Sequence, residues 1–350
     1  MGKKIPKVMA AEKEKLLKGF VEYGKLSPSL AERLWKLIEP FAAYGFNKCL
    51  PASTRVVDAE NGVPTTISDL LTQKKGVLVY ALGADRKITE ERASRPFKNG
   101  IKTVYRLTTR SGRIIRATGN HPLYAFGGWT ELSKLKIGTR VAVPRLLPEP
   151  LCPIPLEPHE AVALGYLVSE GNLCHPHGAY FYSTQEDELR DFIEAAQKFS
   201  NTKITIDRSK PAASVYVGTE KRGVPNGLFT WIKTLGLHGK RATQKHVPDV
   251  VFSANNFSVA RFLGKLWQGD GCISIINYQA FYATSSRRLA DDVQHLLLRF
   301  GIVSTIHTKS FRYRGGRKTG WTIVVSGVEN LLYFQGHVGR HLIGKKQAAL

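Results

Sequence analysis

Ala163-Leu-Gly-Tyr-Leu-Val-Ser-Glu170-Gly171 and Leu263-Gly-Lys-Leu-Trp-Gln-Gly-Asp270-Gly271 are two apolar runs, each closed by an acid and a glycine, with the acids 100 residues apart. The same offset relates Phe181-Tyr182 to Phe281-Tyr282, Thr184 to Thr284, Leu189 to Leu289, Asp191 to Asp291 and Lys245 to Lys345. A repeat of this size implies two similar lobes, each supplying one carboxylate. Apolar residues recur at helical spacing in 159–170 and 258–270, which predicts two helices ending on the acids, with Gly171 and Gly271 in the left-handed position just beyond. A carboxylate there faces the negative end of the helix dipole, at a cost of roughly 0.3 to 1 kcal/mol, and two side by side repel further. A shared divalent cation relieves both penalties. Gly165, Ser169, Gly264 and Gly269 are small enough to let the helices pack closely and bring Glu170 and Asp270 together. Strands are expected at 179–182 and 272–276, and further helices at about 186–199 and 287–300. The rhythm is αββαββα twice over, giving two sheets that flank a central helix pair.

The charge balance narrows the partners. The chain has 350 residues, 43% of them apolar, and a formal net charge of +23. That excess of Lys and Arg suggests a polyanionic partner, most simply nucleic acid. No apolar run approaches the roughly 18 residues of a membrane span. Met1-Gly-Lys-Lys-Ile-Pro6 is basic but lacks an apolar core, so no secretory signal is expected, and Pro6 argues against myristoylation. Cys49, Cys152, Cys174 and Cys272 lack paired spacing, which fits a reduced cytosolic protein without disulfides or zinc.

Pro144, Pro148, Pro150, Pro153, Pro155 and Pro158 mark an extended linker over 144–158. Ahead of it, residues 1–48 read as two helices, 7–23 and 27–39, with Ser27-Pro28 starting the second and Pro40 stopping it. Residues 49–143 change character, with β-rich runs at 76–81, 103–108 and 113–117 separated by Gly, Asn and Asp turns, and are expected to be all-β.

Ile38-Glu-Pro-Phe-Ala-Ala-Tyr-Gly-Phe-Asn-Lys48 closely resembles an interior segment of the bacterial replicative DNA polymerase III alpha subunit. The two blocks Cys49-Leu-Pro-Ala-Ser-Thr and Ala117-Thr118-Gly-Asn-His121-Pro-Leu-Tyr124 resemble the N-terminal half of an intein, the self-splicing Hint fold. The resemblance implies that the Cys49 sulfur attacks the carbonyl of Lys48 to form a thioester, with His121 protonating the departing nitrogen and Thr118 holding the peptide. Complete inteins end in a C-terminal half bearing a His and a terminal Asn, whereas this sequence stops at Gly344-Lys-Lys-Gln-Ala-Ala-Leu350. The expectation is therefore thioester formation with incomplete splicing in this polypeptide, or completion by a C-terminal intein fragment in trans.

Residues 159–350 resemble the LAGLIDADG (DOD-type) homing endonucleases. That family implies paired helices at the lobe interface, Glu170 and Asp270 as ligands of Mg2+, and two sheets that read double-stranded DNA in a monomeric enzyme. Lys245, before Val247-Pro248, resembles the basic residue of the family's Lys-x-Ile-Pro block, and Lys345 is its repeat mate. Either could polarise the scissile phosphate or its attacking water. Phe311-Arg312-Tyr-Arg314-Gly-Gly-Arg317-Lys318 interleaves aromatic and basic residues around a glycine turn and suits phosphate and groove contact. Arg208 and Lys210 occupy a comparable loop of the first lobe, and Lys240 and Arg241 are expected backbone contacts.

The expected fold is α+β: a short helical extein segment (1–48), an all-β splicing unit (49–143), the linker, and endonuclease lobes at about 159–257 and 258–350. The expected function is a site-specific, Mg2+-dependent double-strand endonuclease fused to an intein N-terminal half. Its target would be the intein-less polymerase III alpha allele, in a bacterial cytoplasm and on the nucleoid when DNA-bound. The alternative is a splicing remnant whose endonuclease only binds DNA.

Overall fold

The computed structural model describes residues 6–43, 49–74, 76–313 and 315–350, with side chains of the two N-terminal helices described over 13–36. The fold is α+β. In chain order the elements are α1 (Pro6–Glu22), α2 (Pro28–Ala43), β1 (Arg55–Val57), β2 (Pro64–Thr66), α3 (Ile67–Gln73), β3 (Val77–Leu82), β4 (Ile88–Ala93), β5 (Val104–Thr108), β6 (Ile114–Thr118), β7 (Pro122–Ala125) and β8 (Gly128–Glu131). The first lobe follows with α4 (Pro158–Glu170), β9 (Gly171–Asn172), β10 (Ala179–Ser183), α5 (Glu186–Ala196), β11 (Thr202–Asp207), β12 (Ala213–Thr219) and α6 (Gly227–Thr234). After α7 (Asp249–Phe252) the second lobe has α8 (Asn256–Asp270), β13 (Gly271–Ser274), β14 (Gln279–Thr284), α9 (Arg287–Leu297), β15 (Ser304–Tyr313), β16 (Gly316–Ser326), α10 (Val328–His337) and α11 (Gly344–Ala348).

The chain divides into two compact units. One comprises residues up to Pro51, Phe97–Leu107 and Ile115–Ala142. In it Ala31 and Trp35 of α2 are buried, Lys13 pairs with Glu32 at 3.3 Å, and β7 and β8 form an antiparallel hairpin. The Ser27 hydroxyl accepts from the Leu30 N–H at 3.3 Å to start α2. Pro40 does not stop that helix, which runs on to Ala43, because one missing N–H costs a single bond near a helix end.

The other unit holds Ala52–Pro96, Thr108–Ile114 and Val143–Leu350. Residues 52–96 and 108–114, expected with the splicing unit, thus pack together with the lobes. They are not all-β either: Thr66 caps α3 by accepting from the Asp69 N–H, and Lys74 closes it at φ 55°. Residues 144–157 are extended but not a free linker. Leu147 N–H donates to the Leu298 carbonyl, Leu151 to Ala59, Cys152 to Glu60 and Ile154 to Ser253. Leu147 and Leu156 are buried.

The two lobe sheets are antiparallel and share one topology, β9-β10-β12-β11 and β13-β14-β16-β15. α4 starts with a capping box, Glu157 N–H donating to the Glu160 carboxylate, and α8 with the Asn255 amide oxygen accepting from Ser258 N–H. Leu164, Leu167, Leu263 and Leu266 are fully buried, each contributing about 1.5–3 kcal/mol by leaving water.

A Cβ on Gly165 would lie 2.6 Å from Cβ of Lys265 and 2.8 Å from the Phe262 carbonyl oxygen, and one on Gly269 would strike the Ser169 hydroxyl. These glycines set the close approach of α4 and α8. Gly264 instead faces Val338 and His341. Gly171 and Gly271 are extended, at φ −78° and −91°, not left-handed. A Cβ at Gly171 would meet the Leu167 carbonyl oxygen at 2.5 Å, and one at Gly271 would overlap the Trp267 indole. Close approach, and not handedness, selects glycine after each acid. Gly165→Leu is expected to cost about 3 kcal/mol by overpacking, lowering the melting temperature by roughly 5 °C or more. Gly336→Ala, whose new methyl meets nothing within 4 Å, should be neutral or slightly stabilising in the same thermal-unfolding comparison.

Candidate functional site

The last residues of α4 and α8 deliver Glu170 and Asp270 to one place, where both line the same groove and interact electrostatically. Burial, then Glu170, pushes the Asp270 carboxyl up to about 8, against the pull of Lys245 and Lys346. Glu170 borders two grooves. One, of about 440 Å³, also takes in Asp270, Lys245, Thr284, Lys309 and Phe311. The other, of about 500 Å³, runs past Tyr182, Gln185 and Lys345 in the direction of the first lobe's sheet.

Lys245 is buried with its Nζ on the carbonyls of Leu167 (3.0 Å) and Ser169 (2.7 Å), at the end of α4. It therefore supplies positive charge to the dipole end that the acids load with negative charge. Burial pushes its ammonium down to about 8, opposed by Asp270 and Glu170. The corresponding cation on α8 is Lys346, not Lys345. Its Nζ donates to the carbonyls of Trp267 (3.3 Å), Gln268 and Gly269 (3.1 Å), whereas Lys345 is exposed. A buried network missed by sequence reasoning adds to this end. Gln268 donates to Glu188 at 2.8 Å, and Ser183 donates to the other oxygen of Glu188 at 2.5 Å.

Carboxylate oxygens are hard donors of the kind a divalent cation takes. Among the described residues no cluster of three or more His, Cys, Asp or Glu could hold a metal; the acid pair offers one carboxylate from each helix. A bound divalent cation would lower the cost of keeping Asp270 and Glu170 both charged. A pH dependence follows. A carboxyl raised in the folded state stabilises most below its unfolded pKa, and that contribution is lost as pH rises through about 8. In EDTA the wild type should therefore lose stability relative to Asp270→Asn between pH 4 and pH 8. Thermal unfolding across that range checks the slope.

The basic residues fall into two groups. Arg312 and Arg317 face each other across the β15–β16 ribbon, where Lys318 opposes Phe311 and its Nζ lies 3.9 Å from the Tyr313 ring centre. Arg314 lies outside the described residues. Lys210 is exposed in the β11–β12 turn, while Arg208 grips both oxygens of Glu186 at 2.9 and 3.1 Å. Arg241 is exposed and Lys240 half-buried in the segment leading to Lys245.

In the other unit, Cys49 N–H donates to the Thr118 hydroxyl at 3.0 Å, and Thr118 N–H returns a bond to the Cys49 carbonyl at 3.0 Å. Asn99, which the sequence did not single out, directs its amide nitrogen to the Cys49 sulfur at 3.5 Å. His121 is placed one turn from Thr118, its N–H on the Thr118 carbonyl at 2.9 Å. Lys48, whose carbonyl is the expected point of attack, lies outside the described residues. Among the described residues no helix is long and apolar enough to cross a membrane.

Residues 258–339 match the LAGLIDADG-like domain family. The chain is 35% identical over 313 residues to the replicative DNA helicase DnaB of Rhodothermus marinus, covering 86% of this chain and 32% of the helicase. It thus spans about a third of that relative's length. A DnaB intein from Synechocystis sp. PCC 6803 is 33% identical, covering 28% of this chain and 70% of that one, with a TM-score of 0.27. A crystal structure of the I-DmoI E117A variant with its target DNA and Mn is 14% identical, covering 53% of this chain and 96% of that one, with a TM-score of 0.38.

Proposed function

We propose that this chain, intein-like and with a LAGLIDADG-like domain at residues 258–339, is an intein-borne homing endonuclease that cuts both strands of a specific DNA site. The observation that carries the reading is the meeting of one carboxylate from each repeat at the paired ends of α4 and α8. The net charge of +23 and the basic β15–β16 ribbon support a DNA duplex as partner.

Glu170 and Asp270 would hold Mg2+, which when bound activates water and stabilises charge on the scissile phosphate and the leaving 3′ oxygen. Lys245 and Lys346 hold the two helix ends in register and offset the negative charge gathered there. Arg312, Arg317 and Lys318 contact the duplex backbone, with Lys210, Lys240 and Arg241 on the remaining approaches. Arg208 is a weaker contributor because Glu186 already engages it.

The block around Cys49 would perform an N-to-S acyl shift. The Cys49 sulfur bonds to the carbonyl carbon of Lys48, the carbon–nitrogen bond breaks, and the Cys49 amine leaves with a proton from His121. Thr118 holds the peptide N–H and Asn99 orients the sulfur. The domain order is then extein segment 1–48, splicing unit from 49, and endonuclease from 159, lodged in a polymerase III alpha gene.

The test is direct. Purified protein is incubated with a plasmid carrying the uninterrupted polymerase III alpha codons around the junction after Lys48, with Mg2+ or with EDTA. Linear product only with Mg2+ is expected. Specific binding without cutting would favour the alternative, a DNA-binding remnant, and neither binding nor cutting would overturn both.

A further inference from the structure

We propose that Arg55 is a positioning residue for DNA cleavage, acting through Asp292 on the segment that delivers Lys245 to the acid pair. The inference rests on the endonuclease reading above and assigns it a residue outside both lobes.

Asp292, on α9, has a fully buried side chain. One carboxylate oxygen meets the Arg55 guanidinium at 2.7 Å, and the other accepts from the Val247 N–H at 3.2 Å. Two residues earlier, the Lys245 carbonyl accepts from the Ser286 hydroxyl at 2.6 Å, just ahead of the same helix. The segment 245–247 is thus pinned at one end to the N-cap of α9 and at the other to its middle, and from it the Lys245 Nζ reaches the Leu167 and Ser169 carbonyls beside Glu170.

Arg55 is the close counter-charge. Arg288 lies 3.8 Å from Asp292 and is half exposed, so it offsets little of the cost of burying the carboxylate. Arg55 in turn is fixed by β1–β2 pairing, where it opposes Thr66. The surrounding contacts make this a built junction. Gln294 donates to the Ser111 carbonyl at 3.0 Å, Ile306 N–H donates to the same carbonyl at 3.0 Å, and Arg287 donates to the Gly112 carbonyl at 2.7 Å. Without Arg55 the buried carboxylate must take a proton or swing toward Arg288, and either change weakens the bond to Val247 N–H.

The experiment uses the full chain with Arg55→Met, Asp292→Asn and the double variant, reading the single-turnover cleavage rate at saturating DNA and hydrogen exchange at the Val247 amide. Arg55→Met should slow cleavage about ten- to a hundredfold and speed Val247 exchange, with DNA affinity unchanged. Asp292→Asn removes the buried carboxylate that Arg55 offsets, and in the double variant the amide oxygen accepts from the Val247 N–H with no charge stranded. Arg55→Met should therefore cause no further slowing there, and the double variant should outperform Arg55→Met alone. Unchanged Val247 exchange in Arg55→Met overturns the proposal, as does slowing by Arg55→Met that persists with Asn at 292. If Arg55→Met does not fold, the comparison of the double variant with Asp292→Asn still decides it. A wild type that fails to cut counts against the endonuclease reading alone, because Val247 exchange still decides the role of Arg55.

Discussion

Asp270→Asn should lower Mg2+-dependent cleavage by about three orders of magnitude or more, several kcal/mol of activation free energy, and Glu170→Gln should do the same. The expectation follows from the division of the site between two helices. Each carboxylate comes from a different repeat, so neither can replace the other. The same Asp270 substitution should raise the melting temperature in EDTA at pH 8. It removes a carboxyl that burial and Glu170 hold toward its neutral form, and stability and activity then move in opposite directions. Cleavage rates with purified variants, beside melting curves, check both signs. Unchanged cutting by either variant would move the chemistry away from the acid pair.

Cys49→Ala should abolish thiol-induced release of the segment that precedes it, because no other atom there can carry the acyl group. Thr118→Val is a graded companion. It removes the hydroxyl that accepts from Cys49 N–H at 3.0 Å, and loss of one such bond should slow release about tenfold. Mass spectrometry of the products after dithiothreitol treatment distinguishes the cases. Release that persists in Cys49→Ala would end the splicing assignment.

Much of this was legible in the residues. The acid-glycine endings predicted two helices meeting at their C-termini, and the offset of 100 predicted lobes that the shared strand order reproduces. Other features were hidden for physical reasons. The offset points from Lys245 to Lys345, but β15 and β16 are 10 and 11 residues long against 6 and 7 for β11 and β12. Insertions of that kind break a fixed repeat, and the matching ammonium falls on Lys346. A glycine after a helix reads the same whether handedness or crowding selects it, so the extended Gly171 and Gly271 could not be foreseen. Arg55 and Asp292 look like ordinary surface charges in a basic chain, and only the fold brings them together. Proline density over 144–158 signals extension correctly but says nothing of what the extended chain lies against.

Residues 144–157 behave as a strap whose backbone is stitched to Ala59 and Glu60 on one side and to Ser253 and Leu298 on the other. Gly62 sits under it, where a Cβ would crowd Pro150 and the Phe252 carbonyl. The paired lobes are therefore no cassette on a tether. A laboratory deletion of the lobes would strip the covering from β1 and β2, and a transplant starting at residue 159 would leave the carboxylate of Asp292 without Arg55. Whatever is moved from this gene to another should carry the segment from residue 52 onward as one piece.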